Sequence, residues 1–268
     1  MTKNIPSYLL QVGDPDRERL EILAELYNPG SKEFLQTHMP TDATSILDLG
    51  CGHGQMSNWF AQELPRGSVV GIDISDEQLV ICAENKAAEN VCNAQFFNHD
   101  IVSDKPDFAP FDVAYCRFLL MHVKSWECFF QNTLAACKAG GSIFIEEPAF
   151  PFFCYPESAS LHRANFLGNQ LSTKLGLNFD CISPLWRYIQ NIDVDICAVG
   201  FSQPALISSR EKSLLWRSFY QIKDALLATK LATVCEVQQI MTDLHGISSD
   251  PQSLVGGLRV IQLHLKKR

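Results

Sequence analysis

The segment that most restricts how this chain can fold is Asp48-Leu49-Gly50-Cys51-Gly52-His53-Gly54, set between two apolar patterns of different period. Ser45-Ile46-Leu47-Asp48-Leu49 is short, apolar and bounded by glycine, as a buried strand is. Gln55 to Leu64 puts Met56, Trp59, Phe60 and Leu64 on one helical stripe. Three alternating glycines between strand and helix let the backbone turn sharply and admit a ligand where a Cβ would stand, while the helix aims unpaired N–H groups at the turn. An ordinary tight strand-to-helix turn is the bland alternative. Gln55 stands where a dinucleotide-binding G-x-G-x-x-G turn has its third glycine, and no Walker lysine follows, so pyrophosphate and triphosphate loops lose ground.

The acids downstream sharpen the reading. The next strand, Ser68 to Ile72, ends in Asp73, where a carboxylate can accept from both hydroxyls of a ribose. A third strand, Ala94 to Asn98, runs into His99-Asp100-Ile101, an acid and an apolar residue suited to the amine and the ring of an adenine. Each has a plainer reading. Asp73 can serve a helix dipole, although Ser75, at capping-box spacing from Gln78, already supplies that cap. Asp100 can be a turn residue ahead of Lys105-Pro106.

Short apolar runs and helical patterns alternate from residue 45 to about 147, with further strands at Phe111 to Cys116 and Ser142 to Glu146 and further helices at Ser75 to Asn90 and Ser125 to Lys138. Such alternation means βαβ units and a parallel sheet. Ahead of it, a helix carrying Leu20, Leu23, Ala24 and Tyr27 stops at Asn28-Pro29-Gly30, and a second runs from Ser31 to Met39. After Pro148, aromatics crowd among prolines before a helical stretch at Glu157 to Leu175, which reads as an inserted lid. A short helix after Pro184, a half-exposed strand at Ile192 to Val199, helices at Glu211 to Lys230 and Thr233 to Leu244, and a closing strand at Leu258 to Leu265 complete the chain.

Composition narrows the function. With 46% hydrophobic residues in 268 the chain can bury a full core, and 22 Lys and Arg against 30 Asp and Glu leave a charge of -8 that would repel a phosphate backbone. The expectation is no nucleic-acid partner. The 10 cysteines form no C-x-x-C pair and suit a reducing cytoplasm, no run is long enough to cross a bilayer, and no metal need be invoked.

Ile46 to Gly54, Gly71-Ile72-Asp73-Ile74-Ser75, Asn98-His99-Asp100-Ile101, Phe111 to Arg117 and Lys138-Ala139-Gly140-Gly141 together resemble the successive motifs of class I S-adenosylmethionine-dependent methyltransferases, specifically the bacterial small-molecule members. The resemblance implies a Rossmann-like α/β fold: a doubly wound seven-stranded sheet with its last strand antiparallel. It also implies an N-terminal helical segment over residues 1–44 covering the cofactor, a domain over 45–268, and a helical lid at about 149–191. Carried onto this sequence, it places Gly50, Gly52 and Gly54 along the methionine part of the cofactor, with Asp48 organising that loop. Asp73 would hold the ribose, Ile74 and Gln78 its edge or the adenine's, Asp100 and Ile101 the adenine, and the backbone at Arg117 would lie near the sulfonium. Tyr8 would cover the cofactor and Arg19 meet its carboxylate. The product would be S-adenosylhomocysteine.

The acceptor is expected to be a small molecule. The fourth strand is followed by Cys116-Arg117-Phe118-Leu119, without the Pro-Pro motif of DNA-adenine and protein-glutamine enzymes. His122, just beyond, is a candidate general base or a structural residue at the cleft mouth. Glu147, with Glu146 beside it, Tyr155 and His162 are candidates for the substrate pocket. Two other functions stay open: a catalytically silent cofactor-binding module whose own side chains fill the lid pocket, and an NAD-dependent oxidoreductase using Asp73, which Gln55 and Asp100 disfavour.

Overall fold

The computed structural model describes residues 16–108 and 110–268, so Tyr8 lies outside the described residues. In chain order the elements are α1 (Arg17–His38), β1 (Ser45–Leu49), α2 (Gln55–Glu63), β2 (Ser68–Asp73), α3 (Asp76–Ala88), β3 (Ala94–Asn98), β4 (Phe111–Arg117), α4 (Trp126–Ala136), β5 (Cys137–Ala149), β6 (Phe153–Tyr155), α5 (Ala159–Leu175), α6 (Ile182–Ile189), β7 (Val194–Ser202), β8 (Ala205–Leu206), α7 (Ser209–Lys212), α8 (Leu214–Ala228), α9 (Val234–Ser249), β9 (Leu254–Gly256) and β10 (Arg259–Lys267).

Seven strands form one sheet in the order β3-β2-β1-β4-β5-β10-β7, and β6-β9-β8 form a small second sheet. The strands from β1 to β5 pair in parallel, while β10 runs antiparallel to both β5 and β7. This is the doubly wound α/β sheet expected from the motif order, with the last strand reversed. The strand order turns back between β1 and β4, which opens a crevice at their carboxyl ends.

Alternation along each strand sends side chains into two cores. Leu47, Leu49, Ile72 and Ile145 face α4 and α6, whereas Ile46, Val69, Val113 and Phe144 face α2 and the end of α1. A third core joins Phe152 and α5 to α8, α9 and Ile22 of α1. The helical cover is therefore broader than the stretch around 149–191, because residues 214–244 pack into the same layer.

Two local expectations fail for reasons seen in the packing. The break at Pro29 does not occur, and α1 runs unbroken from Arg17 to His38. Proline inside a helix costs roughly 3 kcal/mol, but both sides of it are anchored: Tyr27, Ser31, Phe34 and Leu35 are buried. Gly30 then lets the helix approach β7, since a Cβ there would stand 2.8 Å from Ser202 Oγ. The capping box at Ser75 is only half formed: Ser75 Oγ accepts from the Gln78 amide at 3.3 Å, while the Gln78 side chain turns to the interior instead.

What seats α1 on the sheet is the carboxylate of Glu146, only 1% exposed. It accepts from Ser31 Oγ at 2.5 Å, Tyr115 OH at 2.6 Å and Gln262 Nε2 at 2.5 Å, drawing α1, β4 and β10 onto β5. It points into the protein, away from the substrate mouth. Glu146→Ala strands three buried donors at once, so urea denaturation should show a loss of about 3 kcal/mol or more.

Candidate active site

The glycine turn is built from β1 outward and braced by β2 and α3. The amides of Gly50 and Cys51 both donate to the Ile72 carbonyl, at 2.8 and 3.0 Å. The Gly52 carbonyl accepts from Cys82 Sγ at 2.9 Å, and the His53 carbonyl accepts from Asn85 Nδ2 at 2.9 Å. Gly50, Gly52 and Gly54 all have positive φ, which a side chain would strain. Only Gly52 is open: no atom lies within 4 Å of where its Cβ would be, whereas at Gly54 that position lies 3.0 Å from Phe96. Gly52 therefore presents backbone to a ligand, and Gly54 permits packing.

Asp73 closes the turn from the tip of β2. Its Oδ2 accepts from the Gly52 amide and its Oδ1 from the Ser75 amide, each at 3.0 Å, and burial pushes its pKa up. The turn and Asp73 form one end of a cavity of about 650 Å³. On the same wall lie Ile74, Gln78, Asp100 and Ile101, together with Gly50, Gly52, Arg19, Arg117 and His122. Asp100 spends both oxygens locally, accepting from the Val102 amide at 2.9 Å and Ser103 Oγ at 2.8 Å, so it holds the turn after β3 as well as facing the cavity.

Arg19 is buried and forms a two-bond pair with Asp16, at 2.6 and 2.5 Å. Arg117 carries its guanidinium to α1, donating to Ser31 Oγ at 2.8 Å and Asn28 Oδ1 at 2.7 Å. Asp48 stands off the wall: it is 3% exposed, accepts from Ser57 Oγ at 2.5 Å, and acts from behind the loop. Burial above all raises its pKa to about 6, which the Ser57 bond and the Arg117 charge partly oppose.

His122 ends a single 3-10 turn, Leu120–His122. Glu147 holds that turn, its buried carboxylate accepting from the amides of Leu119, Leu120 and Met121 at 2.8, 2.7 and 3.3 Å. Glu147 is therefore beneath the mouth rather than lining it. Burial, with Arg19 adding its positive charge, pulls the His122 pKa down to about 3, so its imidazole is neutral near pH 7. Tyr155 is exposed on β6 and His162 is exposed on α5, and neither borders the cavity.

Several wall residues were not found from the sequence. His53 is buried on the wall beside Gln78, which the sequence did mark. Phe118, at the end of β4, adopts a left-handed φ of 56°, held by its amide bond to the Glu146 carbonyl and by the edge of Tyr27. Phe179, Ser218, Phe219 and Ile222 reach the cavity from the lid and α8. The lone signal available for these was the aromatic crowding after Pro148; α8 gave none.

Residues 46–141 match the family model described as a methyltransferase domain. Over that segment the chain is similar to methyltransferase domains. It is 32% identical over 121 residues to a ubiquinone biosynthesis O-methyltransferase of Coxiella burnetii, covering 45% of this chain and 50% of that protein. It is 31% identical over 125 residues to a trans-aconitate 2-methyltransferase of Variovorax paradoxus, covering 46% of each. The chain thus spans about half the length of these relatives. A structure of coclaurine N-methyltransferase bound to N-methylheliamine and S-adenosylhomocysteine superposes with a TM-score of 0.55 at 17% identity, over 89% of this chain and 72% of that one.

The methyltransferase cofactor fits the residues present. Gly52 leaves a bare backbone face, and Asp73 offers a carboxylate at the strand tip of the same cavity. Among the described residues no helix is long and apolar enough to cross a membrane.

Glu147 makes this architecture sensitive to pH. Burial raises its carboxyl from 4.5 to about 7, so the folded state binds its proton more tightly than the unfolded chain does. Its contribution is full below the unfolded value and is lost as pH rises through about 7. Against Glu147→Gln, the parent's relative stability in urea should fall by on the order of 3 kcal/mol between pH 4.5 and 7 and stay level above.

Proposed function

We propose that this chain transfers a methyl group from S-adenosylmethionine to an oxygen, nitrogen or carbon nucleophile of a small molecule. The observation that carries the reading is the continuity of the cavity. One volume of about 650 Å³ runs from the glycine turn and Asp73 to an apolar chamber beneath α5 and α8, giving donor and acceptor a common space.

In this reading Gly50, Gly52 and Gly54 shape the bed for the methionine part, and Asp48 stiffens that bed through Ser57. Asp73 holds the ribose, Ile74 and Gln78 flank it, and Asp100 with Ile101 clasp the adenine. Arg19 faces the cofactor carboxylate, and the backbone at Arg117 lies beside the reacting centre. When bound, S-adenosylmethionine supplies a methyl group on a sulfonium, which leaves as a neutral thioether. The protein's share is alignment and a dry chamber, and positioning alone can supply roughly 7–11 kcal/mol of the barrier. His122, neutral and on the wall, offers a ring to an acceptor hydroxyl as a hydrogen-bonding and positioning group, its lowered pKa making it a weak base. The unpaired cysteines suit the reducing cytoplasm.

A silent binding module would fill the lid pocket with its own side chains. The open chamber favours turnover instead. Calorimetry on the full chain should show saturable S-adenosylmethionine binding, weakened about tenfold to a hundredfold in Asp73→Ala, and no NADH binding. Tight NADH binding without S-adenosylmethionine binding would overturn the reading. His122→Ala should lower kcat/KM about tenfold with little change across pH 6 to 8, and an unchanged kcat/KM would reduce His122 to a wall residue.

A further inference from the structure

The two ends of the cavity differ in charge. Its acidic wall residues, Asp73, Glu77 and Asp100, all belong to the glycine-turn end, at β2, α3 and the turn after β3. Among the described residues, no carboxylate borders the chamber beneath α5 and α8. That chamber is walled by rings instead. Phe150 and Phe179 lie near parallel at 6.1 Å and 16°, and the His122 ring meets Phe179 edge-on at 5.9 Å.

The polar groups here carry no charge in want of a partner. Asn165 spends its amide on the backbone of Phe152, at 3.2 and 2.7 Å. The Arg19 guanidinium is closed by its two-bond pair with Asp16, whose Oδ1 also accepts from Gln221 at 2.6 Å. Lys124 reaches only the rim, where it is exposed. Away from Lys124 at the rim, an acceptor that brought a full charge into this chamber would lose its hydration and find no carboxylate and no unbonded cation among the described wall residues, a cost of several kcal/mol. A hydroxyl loses far less, and one hydrogen bond compensates it.

We infer that the chamber selects an uncharged, flat aromatic acceptor bearing a hydroxyl group, as in a phenol or naphthol, over an ammonium or a carboxylate. This rests on the methyl-transfer reading and narrows it to oxygen. The ring stacks among Phe150, Phe152 and Phe179, and the hydroxyl is directed to His122. Aromatic faces can also attract a cation, but among the described residues no carboxylate stands in the chamber to share its charge.

The test uses one ring in three charge states. The full chain, with S-adenosylhomocysteine present, is titrated with 2-naphthol, 2-naphthylmethylammonium and 2-naphthoate, and naphthol should bind at least about tenfold more tightly than either ion. Tighter binding of the ammonium or the carboxylate, or no binding of naphthol, overturns the inference. Ser218→Asp places a carboxylate at a half-buried wall position and should raise the ammonium-to-naphthol affinity ratio about tenfold. An unchanged ratio would put the probes outside the chamber and also overturn it. Because binding is read without turnover, failure of methyl transfer shows separately, in the S-adenosylmethionine titration.

Discussion

Two successive carboxylates near the end of one strand hold both sides of the cavity mouth. Side chains alternate across β5, so Glu146 points to the face where α1 lies and Glu147 to the face beneath the turn that carries His122. Each is fully desolvated, and each is satisfied by three donors from elsewhere in the chain. A buried carboxylate in such a place is costly alone and strongly directional once satisfied. It dictates where α1 sits, and hence where Arg19 and Leu20 meet the cavity. It also dictates how the chain leaves β4, through the strained Phe118 and into the 3-10 turn.

The cavity joins two environments made by different means. At the sheet end, recognition comes from backbone and from groups on adjacent strand tips, where Gly52 and Asp73 are bonded to each other before any ligand arrives. That preorganisation lowers the cost of ordering the loop on binding. At the lid end the walls are side chains from α1, α5 and α8, brought together by a hydrophobic core that is separate from those of the sheet. The sheet end suits a ligand held by backbone and strand-tip groups, and the lid end one held by side chains.

Much of the sheet was legible because its signals are local. A strand, a glycine turn and a helix follow one another within twenty-odd residues, and the acids at Asp73 and Asp100 sit at strand ends whose position the hydrophobic pattern already marks. The helix through Pro29 was not legible. Propensity is a local cost, whereas the burial of Ser31 against Glu146 and the bonds from Arg117 are tertiary compensation from distant residues. Glu147 was misplaced for the same reason: nothing near it in sequence shows that its oxygens face inward to three amides.

The sequence by itself determined the alternation of strands and helices from residue 45 to 147, the parallel sheet and the glycine turn with its acids, since periodicity and turn chemistry act over one or two elements. Only the tertiary structure decided which residues line the lid end of the cavity. Phe179, Ser218 and Phe219 lie far from Gly52 along the chain, and their approach depends on how the cover packs over the crevice, a property of whole surfaces that no local pattern records.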